Sequence, residues 1–196
     1  MSERAILFSG EMVRAILDGR KTQTRRLVKG VNNANCLPLR RGVTTHVLDA
    51  PKHGLCPHGQ PGDRLWCKEA WATDRWYDLL RPSEVPRATG LYYRESPVHG
   101  RGRFRSSIHM PRWASRLLLE VTEVRVERLQ EISEGDAIAE GWPKQGNPGA
   151  HTGGNGGPFD WFRLLWNGIN AKRGHPWESN PWVWRISFTR VEANDG

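Results

Sequence analysis

The sequence predicts an α+β fold, in which a small mixed or antiparallel β-barrel carries short helices and long loop insertions. Two segments provide the main β signal, Arg116–Leu129 and Trp182–Val191, because apolar and polar residues alternate along them. Several shorter strands and a few amphipathic helices complete the pattern, and no internal repeat is visible. A chain of 196 residues fits one domain. We therefore expect a single domain, residues 1–196, with insertions at about 29–60 and 143–158.

The charge of the chain favours a polyanionic partner. There are 29 basic and 21 acidic residues, which gives a formal net charge of +8, and arginine accounts for 23 of the 29. Guanidinium groups bind phosphate in a fork and stack on bases, whereas ammonium groups act as point charges. We expect RNA, DNA or free nucleotides as partners, and charge alone does not choose among them.

The sequence gives no indication of a membrane or of secretion. No apolar run is long enough to span a bilayer, and the first residues carry charges where a leader would be apolar. Three cysteines are too few for a disulfide framework. We expect a cytoplasmic protein without membrane contact, and the sequence leaves a protein partner undetermined.

Ten tryptophans form an unusually large set. Most of them are expected to fill the core of a small barrel. The alternative interpretation is that one or two of them are stacking platforms for a base, and the two interpretations are compatible. The residues are Trp66, Trp71, Trp76, Trp113, Trp142, Trp161, Trp166, Trp177, Trp182 and Trp184.

The opening segment predicts a first strand at Ala5–Phe8 and then a short helix. Ser9 fits its N-cap and Gly19 its left-handed end, and the apolar residues between them form one stripe. A run of cations and hydroxyls follows at once: Arg20, Lys21, Thr22, Gln23, Thr24, Arg25 and Arg26. The run is either a solvated basic turn or a set of groups delivered to one place.

Residues 29–60 show little periodicity, and we interpret them as a long irregular insertion that is either functional or mobile. Cys56 and His58 form a Cys-Pro-His sequence within it. Because paired zinc-ligand spacing is missing, ordinary loop residues are favoured over a metal site. We expect no metal and no cofactor.

A strand is predicted at Arg64–Trp71, after a Pro-Gly-Asp turn. Alternation places Leu65, Cys67 and Glu69 on one face. If that face is the barrel interior, Glu69 is an inward carboxylate at the rim of a pocket. The alternative is an ion pair with one of the many arginines.

The segment 99–113 contains Arg101, Arg103 and Arg105 at alternate positions around Phe104. In an extended segment these arginines share one face, as a track for phosphates would require. A solvated basic loop is the alternative.

The middle of the chain predicts a bent strand and a capped helix. The alternation in Arg116–Leu129 slips near Thr122–Glu123, which indicates a bulge. Ser133 fits the N-cap of the helix that follows, and Glu140 lies in its last turn. A carboxylate there faces the negative end of the helix dipole, which suggests a functional reason or simple chance.

The last third predicts a Gly/Pro-rich loop at Pro143–Pro158 and a helix at Trp161–Asn170. The core-facing stripe of this helix consists of Phe162, Leu165, Trp166 and Ile169. Trp182–Val191 is the closing strand, with one apolar face and one mostly polar face.

The residues Gly19, Lys21, Thr22, Thr24 and Arg26 form a Gly-x-Lys-Thr-x-Thr-x-Arg motif after a short amphipathic helix. This motif resembles the signature of the ASCH domain family, relatives of the PUA-like RNA-binding barrels. Four further stretches match in the expected order. They are Pro61–Trp66, Leu117–Val126, Ala137–Gly141 and Trp182–Val191. The sequence also resembles the longer version of the domain that is found in bacteriophages and prophages.

The resemblance implies a ligand cleft beside a PUA-like barrel that binds RNA or modified nucleosides. Some small ASCH proteins are amidohydrolases that deacylate N4-acylated cytidine, and their catalytic positions correspond here to Lys21, Thr24 and Glu140. In that chemistry Thr24 attacks, Lys21 accepts its proton and Glu140 returns a proton to the leaving amine. Arg20, Arg25 and Arg26 are implied at the ligand.

Two physical conditions follow for such a reaction. The pKa of Lys21 must fall by ~3 units to supply a neutral amine near pH 7. In an extended strand Lys21 and Thr24 would point to opposite faces, so the chain must twist between them.

We therefore expect an ASCH protein that binds RNA or modified nucleotides through a basic cleft. The first alternative is a hydrolase, either an N4-acylcytidine amidohydrolase or a ribonuclease that uses Lys21 as a cation. The second is a non-enzymatic phage protein with a regulatory or host-interaction role.

Overall fold

The structure is a computed structural model that describes residues 1–39, 42–87, 89–94, 102–143 and 156–191. Within these residues the chain forms nine strands and three α-helices. The strands are β1 (Glu3–Leu7), β2 (Gln23–Leu27), β3 (Cys36–Pro38), β4 (Thr44–His46), β5 (Arg64–Lys68), β6 (Trp71–Ala72), β7 (Tyr92–Tyr93), β8 (Leu118–Arg128) and β9 (Trp182–Val191). The helices are α1 (Gly10–Leu17), α2 (Glu134–Ala139) and α3 (Pro158–Asn170). The α+β class predicted from the sequence is confirmed.

Five strands form one mixed sheet in the order β1-β5-β8-β9-β2. The β1–β5 pair is parallel and the other pairs are antiparallel. Strands β3 and β4 form a separate hairpin, and β6 pairs with β7. The register of β8 against β9 shifts between Val121 and Glu123, so the predicted bulge is confirmed.

The first and last strands of the sheet, β1 and β2, are joined by a side chain rather than by a ladder of backbone hydrogen bonds. Nη2 of Arg26 on β2 donates to the carbonyl oxygen of Leu7 on β1 at 2.8 Å. The described strand pairings therefore form an open mixed sheet rather than the closed β-barrel expected from the sequence, and its two edges meet at the Arg26 side chain. Helix α1 connects these two edges along the chain.

Helix α1 forms as the sequence predicts. The Ser9 hydroxyl accepts a hydrogen bond from the Met12 amide at 3.4 Å, and Gly19 has a φ of +71°. Met12, Val13 and Ile16 are buried in the main hydrophobic cluster, where they pack with residues of the sheet. Burial of this stripe fixes the position from which the following cationic run leaves the helix.

Residues 29–60 are more regular than the sequence predicted. They contain the β3–β4 hairpin and a 3-10 helix at Val47–His53, and only Arg40–Arg41 lie outside the described residues. Leu37, Val47 and Cys56 are buried in the main cluster. The elements are too short for a hydrophobic period to show in the sequence, which explains the difference.

A second cluster lies between α3 and the other face of β9, where Phe162, Trp166 and Trp177 pack around Val183. Helix α3 begins three residues earlier than predicted, and Ile169, assigned to the core stripe, is 47% exposed. The prediction for Ile169 is wrong because the buried positions of α3 end at Trp166, one turn before Ile169. Residues 144–155 of the predicted 143–158 insertion lie outside the described residues.

In the described part of the chain, no helix has the length and apolar character that a membrane crossing requires.

We expect His58 to make the protein less stable in mild acid. Burial lowers the pKa of its imidazole from 6.5 to about 4, and the positive charges of Arg26 and Arg4 act in the same direction. The unfolded chain takes up this proton at higher pH than the folded chain does. The free energy of unfolding should therefore fall as the pH drops from 6.5 to about 4, by at most about 1.4 kcal/mol per pH unit.

Urea unfolding of the wild type and of His58→Gln over this pH range measures the effect, with His53→Gln as a control at an exposed histidine. The stability difference between wild type and His58→Gln should shrink toward low pH. Parallel curves for the two proteins would contradict the prediction.

Candidate functional site

Lys21 and Glu140, which are 119 residues apart in the chain, meet in a buried ion pair. Nζ of Lys21 lies 2.7 Å from Oε2 of Glu140 and donates a second hydrogen bond to its carbonyl oxygen at 2.8 Å. Each residue is 3% exposed. The Glu140 carboxylate is thus held at the carboxyl end of α2 by a cation, which offsets the unfavourable helix dipole expected there.

Backbone contacts bring the two side chains together. The amide of Lys21 donates to Ala15 in α1, and the amide of Thr22 donates to Ala139 in α2, at 2.9 and 2.8 Å. Gly141 has a φ of +103°, and a Cβ there would lie 3.0 Å from Cβ of Ala15 and 3.2 Å from Cβ of Lys21. The glycine therefore allows α2 to end against α1.

Arg25 extends the pair into a buried network of charges. Its side chain is fully buried, and Nη1 lies 3.2 Å from Oε1 of Glu140. Nε donates a hydrogen bond of 2.8 Å to Glu127, while Nη2 makes ion-pair contacts with Glu127 at 2.7 Å and with Asp136 at 3.3 Å. The guanidinium carbon is 5.8 Å from the centre of the Phe162 ring. Arg25 thus links β2 to β8, α2 and α3 from the inside.

Phe8 provides an aromatic surface beside the ion pair. Nζ of Lys21 lies 5.6 Å from the centre of its ring, and the guanidinium carbon of Arg26 lies 5.3 Å from it. An ammonium group and a guanidinium group therefore lie beside one aromatic ring, and the ammonium group also contacts the Glu140 carboxylate.

Burial lowers the pKa of Lys21, which is 10.5 in a solvated lysine. The Glu140 carboxylate acts in the opposite direction, by its charge and its hydrogen bond, and the Arg26 and Arg25 charges lower the pKa further. The direction is the one that a general base requires.

Thr24 is buried in β2, where its backbone pairs with Ile186. Alternation places its side chain on the face of the strand that Arg26 occupies, opposite to Arg25. No hydrogen bond within the described residues joins its hydroxyl to Lys21 or Glu140. The structure thus pairs Lys21 with Glu140 and leaves Thr24 unbonded to either.

Two other predicted ligand residues have partners inside the protein. Arg20 donates to the carbonyl oxygens of Gly141 at 3.1 Å and Trp142 at 3.3 Å. Glu69 is 2% exposed and accepts two hydrogen bonds of 2.9 Å from Arg116. The ion pair with an arginine, which was the alternative interpretation of Glu69, is therefore observed, whereas a place for Glu69 at the rim of a ligand pocket stays a prediction. Strand β5 ends at Lys68, before Glu69.

The three arginines of the predicted phosphate track have different surroundings. Arg101 lies outside the described residues. Arg103 is exposed, whereas Arg105 donates to the carbonyl oxygens of Tyr77 and Leu80 and packs on the ring of Trp71. Arg103 and Arg105 line one cavity, which is described below.

Sequence reasoning missed Phe8, Glu127, Asp136 and Arg116 as members of the site. Each lies in or beside a strand or helix that was predicted, but a side chain's partner across a sheet is not visible in the sequence. The only signal in the sequence was the position of Phe8 directly after β1, because the alternation of side chains along that strand also predicts the face on which Phe8 lies. Within the described ranges no group of three or more His, Cys, Asp or Glu residues has the arrangement of a metal site.

Comparison of the chain with protein-family models and with curated proteins gave no match. Among solved structures it is similar to an ASCH domain from Lactobacillus crispatus JV V101, with a TM-score of 0.45 and 14% identity over 98% of this chain and 81% of that one. It is also similar to a protein from Enterococcus faecalis V583 described by the family model DUF984, with a TM-score of 0.41 and 12% identity over 91% of this chain. The matched region spans 66% of the Enterococcus protein.

Replacement of Arg25 by methionine should be strongly destabilising. It removes the cation that faces Glu140, Glu127 and Asp136 and leaves buried carboxylates less compensated, which costs about 3–5 kcal/mol of unfolding free energy. Arg125→Met is the matched control, because Arg125 lies on the same sheet but forms an exposed ion pair with Glu123. The control should lose less than about 1 kcal/mol in urea unfolding. Equal losses would refute the structural role of the network.

Proposed function

We propose that the chain is an ASCH-domain protein whose Lys21–Glu140 site binds a nucleobase or modified nucleoside, free or within RNA. One observation carries the proposal: the buried Lys21–Glu140 pair lies beside the ring of Phe8 and the guanidinium group of Arg26. The motif that contains Lys21 and Arg26 supports the family assignment.

The chemistry of these groups fits the edge of a base. Lysine and arginine donate hydrogen bonds only, and an ionised glutamate only accepts them. Cytosine presents an N4 amino donor beside ring and carbonyl acceptors, so Glu140 would accept from N4 while Lys21 or Arg26 donates to an acceptor. An aromatic ring stacks on the face of a base.

The electrostatics supports a ligand that belongs to RNA. A formal net charge of +8 with arginine in excess favours association with phosphate chains. A base in the site and phosphates on the surrounding surface would then be bound by different parts of the same protein.

The binding proposal is tested by calorimetric titration with cytidine, N4-acetylcytidine and uridine. Glu140→Gln preserves the shape of the side chain but exchanges a carboxylate oxygen for a donor, so cytidine affinity should fall by about tenfold or more. Glu123→Gln, at a partly exposed carboxylate on β8, should bind as the wild type does. Thermal unfolding of both variants verifies that they are folded. Equal affinities of wild type and Glu140→Gln would overturn the proposal.

A second candidate function is amide hydrolysis of an N4-acylated cytidine. The lowered pKa of Lys21 favours it, because a neutral amine beside a hydroxyl can act as a base. Thr24 lies on the same face of β2 as Arg26. The side chains of Arg26 and Lys21 both approach the Phe8 ring. A substrate would therefore meet the hydroxyl and the amine on the Phe8 side of the site.

The proposed hydrolysis proceeds through an ester on Thr24. The Thr24 hydroxyl adds to the acyl carbon while its proton passes to Lys21. That proton moves through the 2.7 Å contact to Glu140 and then to N4, as the C–N bond breaks and cytidine leaves. Water hydrolyses the threonine ester and releases the carboxylic acid. Arg26 is positioned to stabilise the oxyanion.

Incubation with N4-acetylcytidine and chromatography of the products tests the reaction. Thr24→Val should abolish cytidine release, whereas Thr22→Val, which removes an exposed hydroxyl two residues away, should not. Lys21→Met should lower the rate by about 10²–10⁴-fold. Because the neutral amine is the active form, the wild-type rate should rise with pH and reach half its maximum below pH 10.5. Equal rates for the Thr24 and Thr22 variants would exclude Thr24 as the nucleophile.

Ribonuclease action and a regulatory or host-interaction role in a bacteriophage stay alternative hypotheses. Failure of every nucleoside to bind in the titration would favour the regulatory role.

A further inference from the structure

A concave site lies where the segment after residue 101 packs against the turn around residues 74–82. It is a cavity of about 350 Å³, and none of the residues that line it belongs to the Lys21–Glu140 pair. Its lining includes Asp78, Arg103, Phe104, Arg105, Ser106 and His109. The volume is in the range of small-ligand sites.

The walls of this cavity are held by specific contacts. The Arg105 amide donates to the Trp71 carbonyl oxygen at 2.8 Å, and its guanidinium group donates to two carbonyl oxygens of the turn, those of Tyr77 and Leu80. The Arg103 amide donates to Oδ1 of Asp78 at 2.8 Å. These contacts fix the cavity without using the Arg103 side chain.

The close fit of the two segments also depends on Gly102. A Cβ at this position would lie 2.3 Å from Oδ1 of Asp78 and 2.9 Å from Cα of Arg75. Such approaches require a residue without a side chain, so the turn and the arginine segment are built to meet here.

The cavity has an excess of positive charge. In the part of the chain that the structure describes, no carboxylate forms an ion pair with Arg103 or Arg105, and Asp78 already accepts the Arg103 amide. The Arg103 side chain is exposed and the Ser106 hydroxyl lies beside it in the lining. Guanidinium and hydroxyl groups together are typical ligands of a phosphate.

An exposed tryptophan lies in the turn that packs against the arginine segment of the cavity, although it is not itself a lining residue. Trp76 is 85% exposed, in the same short turn whose Tyr77 carbonyl holds Arg105, and Leu79 beside it is 99% exposed. Trp71, in contrast, is fully buried under Arg105. An exposed indole two residues from the cavity-lining Asp78 and a basic cavity together supply the two kinds of group with which proteins bind unpaired bases and their phosphates.

We propose that this cavity and Trp76 form a binding surface for single-stranded nucleic acid, with a backbone phosphate at Arg103 and a base stacked on Trp76. The surface is separate from the Lys21–Glu140 site and does not depend on any chemistry there. Single strands are favoured over duplexes because a flat exposed ring stacks only on bases that are not already stacked.

Fluorescence anisotropy with a labelled oligouridylate of about twelve nucleotides tests the proposal at several salt concentrations. Arg103→Ala should weaken binding several-fold and lower the slope of log affinity against log salt by about 0.7. Arg173→Ala is the matched control, because it removes one exposed arginine from a turn after α3 that does not line the cavity. Trp76→Ala should weaken binding by about tenfold, and Trp76→Phe should recover most of the loss.

Several results would overturn the proposal. Equal effects of Arg103→Ala and Arg173→Ala would mean that only net charge matters. An unchanged affinity in Trp76→Ala would remove the stacking platform, and competition by polyglutamate as effective as that by unlabelled RNA would indicate an acidic protein partner. Because cytidine and N4-acetylcytidine carry no phosphate, failure of the nucleoside titration leaves this test unaffected.

Discussion

The carboxylate of Glu140 is the charge on which the arrangement of this protein depends. It is buried, and it is compensated by Lys21 on one oxygen and Arg25 on the other. A buried ion without a partner would cost several kcal/mol, so neither cation can move away without exposing or stranding the carboxylate. The end of α2 and the start of β2 are consequently fixed to each other, although more than a hundred residues separate them in the chain.

This constraint also determines what the site can offer a ligand. Because Arg25 keeps one oxygen of Glu140 occupied, the exchangeable contact is the one between Oε2 and Lys21. If the proposed function holds, a ligand that accepts from the ammonium group and donates to the carboxylate would replace that contact without leaving either charge unpaired. The Phe8 ring adds an apolar face next to it. The protein thus has a polar pair that is already desolvated and oriented before any ligand arrives.

The arginines of the chain serve three different purposes, which a count of charges does not separate. Arg25 is wholly inside and binds carboxylates, and Arg26 joins the two edges of the sheet through the Leu7 carbonyl oxygen. Arg103, in contrast, has its backbone fixed and its side chain in solvent. Only arginines of the last kind present their guanidinium groups to solvent, so the basic surface is smaller than the composition indicates.

The sequence by itself determined the elements that depend on local physics. The Ser9 and Ser133 caps, the left-handed Gly19 and the bulge near Thr122–Glu123 all follow from short-range geometry. The family motif drew attention to Lys21 and Glu140, which the tertiary structure brings into contact. The partners of Arg25 and Glu69, the burial within residues 29–60, and the exposure of Ile169 and Trp76 were decided only by the tertiary structure. They depend on which strands and helices face one another, and side chains that meet across a sheet leave no period or spacing in the chain.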